Sequence, residues 1–382
     1  MPTFSIERIV DICTDVIEAT GTSRQNAKLI AELLAEANST GHDSHGIIRI
    51  PQYLAAIENN DILTNSDIDI VRENPLTAIV DGNWGFGQVT MSRAVEVGLE
   101  KASQSGLAAI TVRNANHIGR LGSYVEHIAR QDMIGLLFVN AVGTPAYRMA
   151  PWGGTEPRLV TDPLAFGIPS PEDNPIVIDM TTTVVAEGKV RVKRNRGEKT
   201  PDGWLLDAEG KPSNDPNVLY GYPSGSILPL GGTAAGHKGY GLNVAIELLA
   251  GILSGAGCIG KDERLSNGVL LIIIDIEQFL PIEEFYQESE IFIQHVKSSP
   301  AAEGFDEILL PGEIESKVKR QRTKEGIFVE DETWEQILEW GQKFGVELKW
   351  NLSRNFTTTG SVVSLFDSSA VGIFQRPTNR LV

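Results

Sequence analysis

The stretch with the densest chemistry is Gly41-His42-Asp43-Ser44-His45-Gly46-Ile47-Ile48-Arg49. It gathers two imidazoles, a hydroxyl, a carboxylate and a guanidinium. If the segment is helical, His45 and Arg49 lie at i and i+4, on one face and about 6 Å apart at Cβ. An imidazole exchanges a proton near neutral pH. A guanidinium grips a carboxylate through two parallel hydrogen bonds. A hydroxy or keto acid needs both partners at that separation. The plainer alternative is a turn in which Ser44 caps a helix and the charges are solvated. These residues alone do not decide between the two.

Other stretches carry related chemistry. Asn114-Ala115-Asn116-His117-Ile118-Gly119-Arg120-Leu121-Gly122-Ser123-Tyr124 lies between a strand ending near Arg113 and a helix starting near Leu121. Backbone N–H groups at such a turn bind anions, and His117 and Arg120 add proton and charge chemistry. The alternative is a loop with a surface histidine. Asp179-Met180-Thr181-Thr182-Thr183 closes an apolar strand. Strand ends in open sheets are where ligands bind, although turn chemistry alone also accounts for it. Gly236-His237-Lys238-Gly239-Tyr240-Gly241 is glycine-rich and basic and precedes a helix. Its glycines would let the backbone approach a phosphate, with Lys238 as a point charge. It lacks the spacing of a Walker loop, and a tight turn without ligand is the alternative.

Gly255-Ala256-Gly257-Cys258-Ile259-Gly260 satisfies Gly-x-Gly-x-x-Gly, with acidic Asp275 further on. A dinucleotide fingerprint, however, follows a strand and opens a helix. Here a helix precedes and charged Lys261-Asp262-Glu263-Arg264 follow, so the stretch reads as a glycine-rich helix C-terminus. No His-x-x-x-His pair or cysteine cluster suggests a metal, and no Gly-x-Ser-x-Gly elbow suggests a hydrolase. The groups on offer favour redox or lyase chemistry with a borrowed cofactor.

The 382 residues, 41% hydrophobic and 22% charged, are enough for two domains with large cores. A formal charge of −17 argues against a nucleic-acid or anionic-membrane partner. Cys13 and Cys258 are too few for a disulfide framework, and Cys13 falls on the apolar face of an expected helix. No secretory signal opens the sequence, and no run of about 18 apolar residues spans a membrane. The expectation is a reduced, cytoplasmic protein.

The elements that must position these groups follow from periodicity. Ile6, Ile9, Val10, Cys13, Val16 and Ile17 mark an amphipathic helix ending at Gly21. Thr22-Ser23-Arg24-Gln25 is a capping box for a second helix, whose apolar face is Ala27, Ile30, Leu33, Leu34 and Ala37. Pro51 is expected to kink or end any helix running on through Tyr53 and Leu54. From Thr77 a strand with its turn (77–82) and further strands (107–113, 134–140, 176–179, 269–275) alternate with helices (89–104, 122–132, 238–254), an α/β layer pattern. Leu242, Ala245, Ile246 and Leu249 mark the inner face of the last of these helices. Residues 197–216 read as an exposed loop. After residue 281 helices return at 283–296, 314–324 and 333–344. The expected plan is therefore a mainly helical discontinuous domain from 1–75 and 281–350. An α/β cofactor-binding sheet domain, 76–280, is inserted in it, and 351–382 form a tail or arm.

Seven stretches in order then carry a family likeness: Asp43-Ser44-His45-Gly46 with Arg49; Asn116-His117-Ile118-Gly119; Thr161-Asp162-Pro163-Leu164-Ala165-Phe166-Gly167; Ile178-Asp179-Met180-Thr181-Thr182; Gly188-Lys189; Gly236 to Leu242; and Pro311-Gly312-Glu313. Together they resemble the malate/L-lactate dehydrogenase family, which also holds sulfolactate, ureidoglycolate and 2,3-diketogulonate enzymes and the cyclic imino acid reductases. The resemblance implies an oxidoreductase using NAD or NADP, non-Rossmann in fold, usually a homodimer, and acting on a small carboxylate substrate. It implies that His45 exchanges the proton at the substrate oxygen, that Ser44 supports it, and that Arg49 holds the substrate carboxylate. His117 is the rival acid–base residue. His117, Ile118, Gly119, Arg120, Leu121, Asn140, Thr161, Asp179, Met180, Thr181, His237, Lys238, Gly312 and Glu313 would line the cofactor.

Two departures matter. The family's Thr-Asn-Pro is Thr161-Asp162-Pro163 here, which places an extra carboxylate near the expected cofactor site. The imino acid reductases carry Asp after the glycine that is Gly188 here, whereas this chain has Lys189, as the hydroxy-acid dehydrogenases do. The expected reaction is therefore hydride exchange between NAD(P) and a 2-hydroxy or 2-oxo acid. Reduction of cyclic imino acids and a non-catalytic cofactor-binding role are the alternatives. In oxidation His45 must begin neutral. Activity should then fall as pH drops through its pKa, and a flat oxidation profile across about pH 5–8 would count against the role.

Overall fold

The computed structural model describes residues 2–143, 147–172, 174–259, 264–346 and 348. The expected tail from residue 351, and Gly260 to Glu263 of the glycine-rich stretch, lie outside them. In chain order the elements are β1 (Thr3–Phe4), α1 (Ile6–Glu18), α2 (Arg24–Ser39), two 3-10 turns (Asp43–His45, Ile47–Arg49), α3 (Ile50–Glu58), β2 (Asp69–Glu73), β3 (Thr77–Asp81), α4 (Gly87–Ser105), β4 (Leu107–Ala115), α5 (Leu121–Ala129), β5 (Met133–Val142), β6 (Leu164–Ile168) and β7 (Ile176–Met180). Next come α6 (Glu187–Asn195), β8 (Leu205–Leu206), β9 (Pro212–Ser213), β10 (Ser226–Ile227), α7 (Gly232–Ile246) with a π-helical turn at Glu247–Ile252, β11 (Ser266–Asp275), α8 (Ile282–Lys297), α9 (Glu313–Glu325), β12 (Ile327–Phe328) and α10 (Asp331–Lys343).

Seven strands form one mixed sheet in the order β2-β3-β4-β11-β5-β6-β7. Only β3 and β4 run parallel; every other neighbouring pair is antiparallel. The antiparallel β11 at its centre is what separates this sheet from a doubly wound Rossmann sheet, in which parallel strands flank the dinucleotide crevice. Side chains alternate faces along each strand. On β5, Leu137 and Val139 join the core beneath α4 and α5, while Phe138 packs with Leu164, Ile246 and Ala250 beneath α7. At Gly167 of β6 the backbone of α5 comes so close that an added Cβ would lie 2.0 Å from the Val125 carbonyl oxygen.

A second core gathers Ile9, Ile12, Ile30, Leu34, Tyr53 and Leu54 with Ile327, Trp334 and Ile337, so both ends of the described chain share it. Each such side chain contributes about 1.5–3 kcal/mol by leaving water. Ser23 caps α2, its Oγ accepting from Asn26 N at 3.3 Å. Three expectations change. Residues 197–216 are not a plain loop: Leu205 is fully buried, and β8 pairs with both β9 and β10. Ile246 is buried and Leu242 packs beside it as expected, but Leu249 is exposed and Ala250 faces inward in its place, because the π turn adds a residue to the register. Pro51 starts a helix rather than ending one, sitting in the first turn of α3 where its missing N–H has no helical partner to lose. No helix among the described residues is long and apolar enough to cross a membrane.

Candidate active site

The loop after α2 is built by backbone turns. Gly41 takes a left-handed φ of +88°. His45 N then donates to His42 O, Gly46 N to Asp43 O, and Arg49 N to Gly46 O. His45 and Arg49 therefore occupy two consecutive 3-10 turns and not one α-helical face, which corrects the i, i+4 expectation. Buried Asn38 braces the turns: its Oδ1 accepts from Ile47 N at 2.7 Å and its Nδ2 donates to Asp43 Oδ1 at 2.7 Å. Ser44 Oγ lies 3.0 Å from His45 Nδ1. Arg49 curls back, Nε donating to Ser44 O at 2.7 Å and Nη1 to Gln52 Oε1 at 2.6 Å.

His117, from the turn between β4 and α5, stacks on His45 with ring centroids 5.5 Å apart and 27° between planes. Tyr53 of α3 places its hydroxyl 2.8 Å from His117 Nδ1, and Gln88 of α4 donates through Nε2 to that hydroxyl at 2.6 Å. The Tyr53 hydroxyl thus bridges Gln88 and His117 Nδ1. Burial drives the His45 pKa down to about 3, with the charges of Arg49, His42 and Arg120 adding to it. Burial, then Arg49 and His45, push His117 well below the usual imidazole range. Both rings are neutral at neutral pH. Burial also raises the Tyr53 phenol to about 12.

The turn at α5 was expected to be an open anion site with Arg120 at hand. Instead Gly122 N donates to Asp179 Oδ2 at 2.7 Å, so the chain's own carboxylate takes the helix start. The Arg120 side chain is 2% exposed and pairs with Glu36 Oε1 at 2.8 Å, its Nε 4.0 Å from Asp179. Ser123 donates to the second Glu36 oxygen. Ile118 and Leu121 are buried in the sheet core, and Gly119 takes a left-handed φ of +87°. Asn140 is fully buried; its Oδ1 accepts from Gly268 N at 3.1 Å. Thr161 lends its carbonyl to Thr182 N at 3.0 Å. Asp162 is no exposed extra charge: it is 1% exposed, and burial together with Glu247 beside it raises its pKa far above the carboxylate range.

Helix α7 restarts after a break at Ala235 (φ −139°), and there the basic side chains face solvent. His237 and Lys238 are exposed in α7, with Trp152 edge-on to His237 at 5.9 Å. Gly236 and Gly239 serve packing: a Cβ at Gly236 would meet Trp152 at 2.5 Å, and one at Gly239 the Leu230 backbone at 2.5 Å. Met180 packs under α7, and Thr181 hydrogen-bonds within its own turn. Gly312 caps α9, and Glu313 lines a cavity of about 560 Å³ with Ile176, Gln294 and Lys297.

Sequence reading missed Tyr53, Gln88 and Glu36. For Glu36 a signal existed, a carboxylate on the apolar face beside Leu33 and Leu34 that only a buried partner could satisfy. It also missed that the first turn of α6 abuts the loop, a Cβ at Gly188 lying 3.4 Å from Ser44 Cβ.

Comparison with known proteins follows the same lines. A family profile described as malate/L-lactate dehydrogenase matches residues 4–338. The L-sulfolactate dehydrogenase of Methanocaldococcus jannaschii is 38% identical over 342 residues, covering 88% of this chain and 95% of that protein. The crystal structure of malate dehydrogenase from Entamoeba histolytica superposes with a TM-score of 0.85 at 29% identity, over 91% of this chain and 99% of that one. That of Δ1-piperideine-2-carboxylate reductase from Pseudomonas syringae gives 0.76 at 28%, over 89% and 100%. With the profile spanning most of its length, the chain belongs to the malate/L-lactate dehydrogenase family of oxidoreductases.

Proposed function

We propose that this protein is an NAD(P)-dependent dehydrogenase of small 2-hydroxy acids. The observation that carries the reading is the stack of two neutral imidazoles, His45 and His117, in the company of Arg49. NAD or NADP, when bound, supplies or accepts the hydride. The donor set suits an anionic dinucleotide: exposed His237 and Lys238 at a helix start for phosphate, and the cavity beside Gly312 and Glu313 for the far end.

Arg49 holds the substrate carboxylate, which fixes the hydroxyl carbon. His45 donates Nδ1–H to Ser44 Oγ, so Nε2 keeps its lone pair and takes the hydroxyl proton in oxidation. In this reading Tyr53 donates to His117 Nδ1, so that His117 carries its proton on Nε2, donates to the same substrate oxygen and steadies charge developing there. In reduction the proton returns from His45. With His45 near 3 in the free protein, the group is neutral throughout about pH 5–8. Oxidative kcat/KM should then be flat across that range with respect to His45 and fall only toward pH 3–4, which revises the earlier expectation. In the reductive direction the protonated form is scarce, and the rate should rise as pH falls.

The reading includes a homodimer, for which exposed Leu248, Ile252 and Leu253 on the π turn offer an apolar surface. It also includes a cytoplasmic setting, which suits the free cysteines Cys13 and Cys258. It keeps the division into a 76–280 cofactor-binding part within a part made from both chain ends.

The test follows NAD(P)H absorbance at 340 nm with oxaloacetate, pyruvate, sulfopyruvate and other 2-oxo acids. His45→Ala should lose about 10²–10⁴-fold in kcat while staying folded. Full activity in His45→Ala would move the proton to His117. A second reading, reduction of cyclic imino acids, is favoured by the likeness to the piperideine-2-carboxylate reductase. Exposed Lys189 in place of the relay carboxylate speaks against it. Turnover of Δ1-piperideine-2-carboxylate with NADPH, and of no 2-oxo acid, would select it. Cofactor binding without any turnover would select the non-catalytic role.

A further inference from the structure

Helix α9 carries Glu315, Val318 and Arg322 at i, i+3 and i+7, on one face. That face meets the loop bearing His45. The Arg322 guanidinium grips Asp43 at two points, Nη1 to Oδ1 at 2.6 Å and Nη2 to Oδ2 at 2.9 Å, and Nη1 also donates to the Asn38 carbonyl. Glu315 Oε1 lies 3.4 Å from His42 Nε2. Val318 lies against Gly41, where a Cβ would come within 3.3 Å of its Cγ1. Asp43 also accepts from Asn38 Nδ2, and Asn38 Oδ1 receives Ile47 N. Both ends of the segment 43–47 are thus tied to one network whose outer anchor is Arg322.

We propose that Arg322 is a positioning residue for the acid–base loop: it clamps the Asp43–His45 turn, with Glu315 as a second point of attachment, so that His45 and Arg49 address one substrate. The proposal rests on the dehydrogenase reading above. Neither Arg322 nor Glu315 makes contact with His45 itself among the described hydrogen bonds; their effect passes through Asp43 and His42. The side chains of Arg322 and Asp43 are 28% and 54% exposed, and pairs this open add little to global stability. What the clamp contributes is geometry, and displacing a catalytic group by about 1 Å lowers a rate by about 10²-fold. The residue must be arginine, because its planar fork matches both carboxylate oxygens while leaving an N–H for the carbonyl. Just ahead of the cap of the same helix, Pro311 O accepts from Val177 N of β7 at 3.1 Å, so the helix that grips the loop is also tied to the sheet.

The experiment compares native protein with Arg322→Gln, Arg322→Lys, Asp43→Asn and the double variant Asp43→Asn/Arg322→Gln. It reads kcat, KM for NAD(P)H, thermal unfolding, and amide hydrogen exchange of residues 42–49. Arg322→Gln should lower kcat by about 10²-fold, keep KM for NAD(P)H within about twofold and unfold near the native temperature. Exchange should rise in 42–49 alone. Arg322→Lys should recover part of kcat, and the double variant should be no worse than either single one, as expected for partners in one interaction. Unchanged exchange of 42–49 in Arg322→Gln, or strictly additive losses in the double variant, would overturn the clamp. Raised exchange in a protein whose native form turns over no 2-oxo acid would uphold the clamp and remove the dehydrogenase reading.

Discussion

The starts of α5 and α7 look alike as sequence: glycines, a histidine, a basic residue and a helix to follow. In the folded chain they are opposites. At α5 the helix start holds the Asp179 carboxylate, and Arg120 is buried against Glu36. At α7 His237 and Lys238 stand in solvent. The difference comes from carboxylates delivered by remote segments, α2 and β7. The closed turn is a scaffold beside His117; the other leaves its basic side chains in solvent, where the proposed cofactor phosphates would meet them. A helix N-terminus is therefore an anion site only where the chain has not already filled it.

That contrast can be broken first at its closed end. Glu36→Ala leaves the buried Arg120 with only the more distant Asp179 as a charge partner and should destabilise the protein by about 3 kcal/mol in denaturant unfolding. A loss under 1 kcal/mol would mean the turn is open after all. Gly239→Ala drives a methyl group into the Leu230 backbone and should cost about 1–3 kcal/mol, which a shifted unfolding midpoint would report. Lys238→Ala should leave stability within about 0.5 kcal/mol. It should raise KM for NAD(P)H about tenfold, worth about 1.4 kcal/mol, with kcat kept. Unaltered cofactor affinity there would place the phosphates elsewhere. The smallest effect is expected at Gly241, where an added Cβ meets nothing within 4 Å. Gly241→Ala should stabilise α7 by about 0.5–1 kcal/mol. A rise in KM for NAD(P)H instead would show that a ligand needs the bare backbone.

The helices and the strands of the α/β middle were readable because periodicity is local. Ile9, Cys13, Val16 and Ile17 bury as their spacing says. Strand partners were not readable, since pairing β11 with β4 and β5 joins residues far apart in sequence. Within the site, His45, Arg49 and His117 stood out by residue type, and likeness to a family ordered their roles. Tyr53 did not, because a tyrosine between Ile50 and Leu54 looks like core until Gln88 and His117 are seen at its hydroxyl. Arg120 misled for the converse reason: a charged residue in a loop reads as exposed unless its buried partner is known. Asp43 could be read as a solvated charge or as part of a site, and Arg322, on a markedly polar helix, gave no signal of its grip on it.

The central strand has a consequence in time as well as in space. β4 and β5 each offer an edge to β11, which the ribosome delivers only after more than a hundred further residues beyond β5 have been made. A nascent chain whose flanking strands had paired before β11 arrived would hold two half-sheets with unmet N–H and C=O groups facing a gap. Closing that gap would be a long-range event, slow by its contact order, and such a chain would be the species most exposed to aggregation. A chain stopped short of residue 266 would lack the strand that joins the halves. Misfolding of this enzyme should therefore begin at its centre, not at its ends.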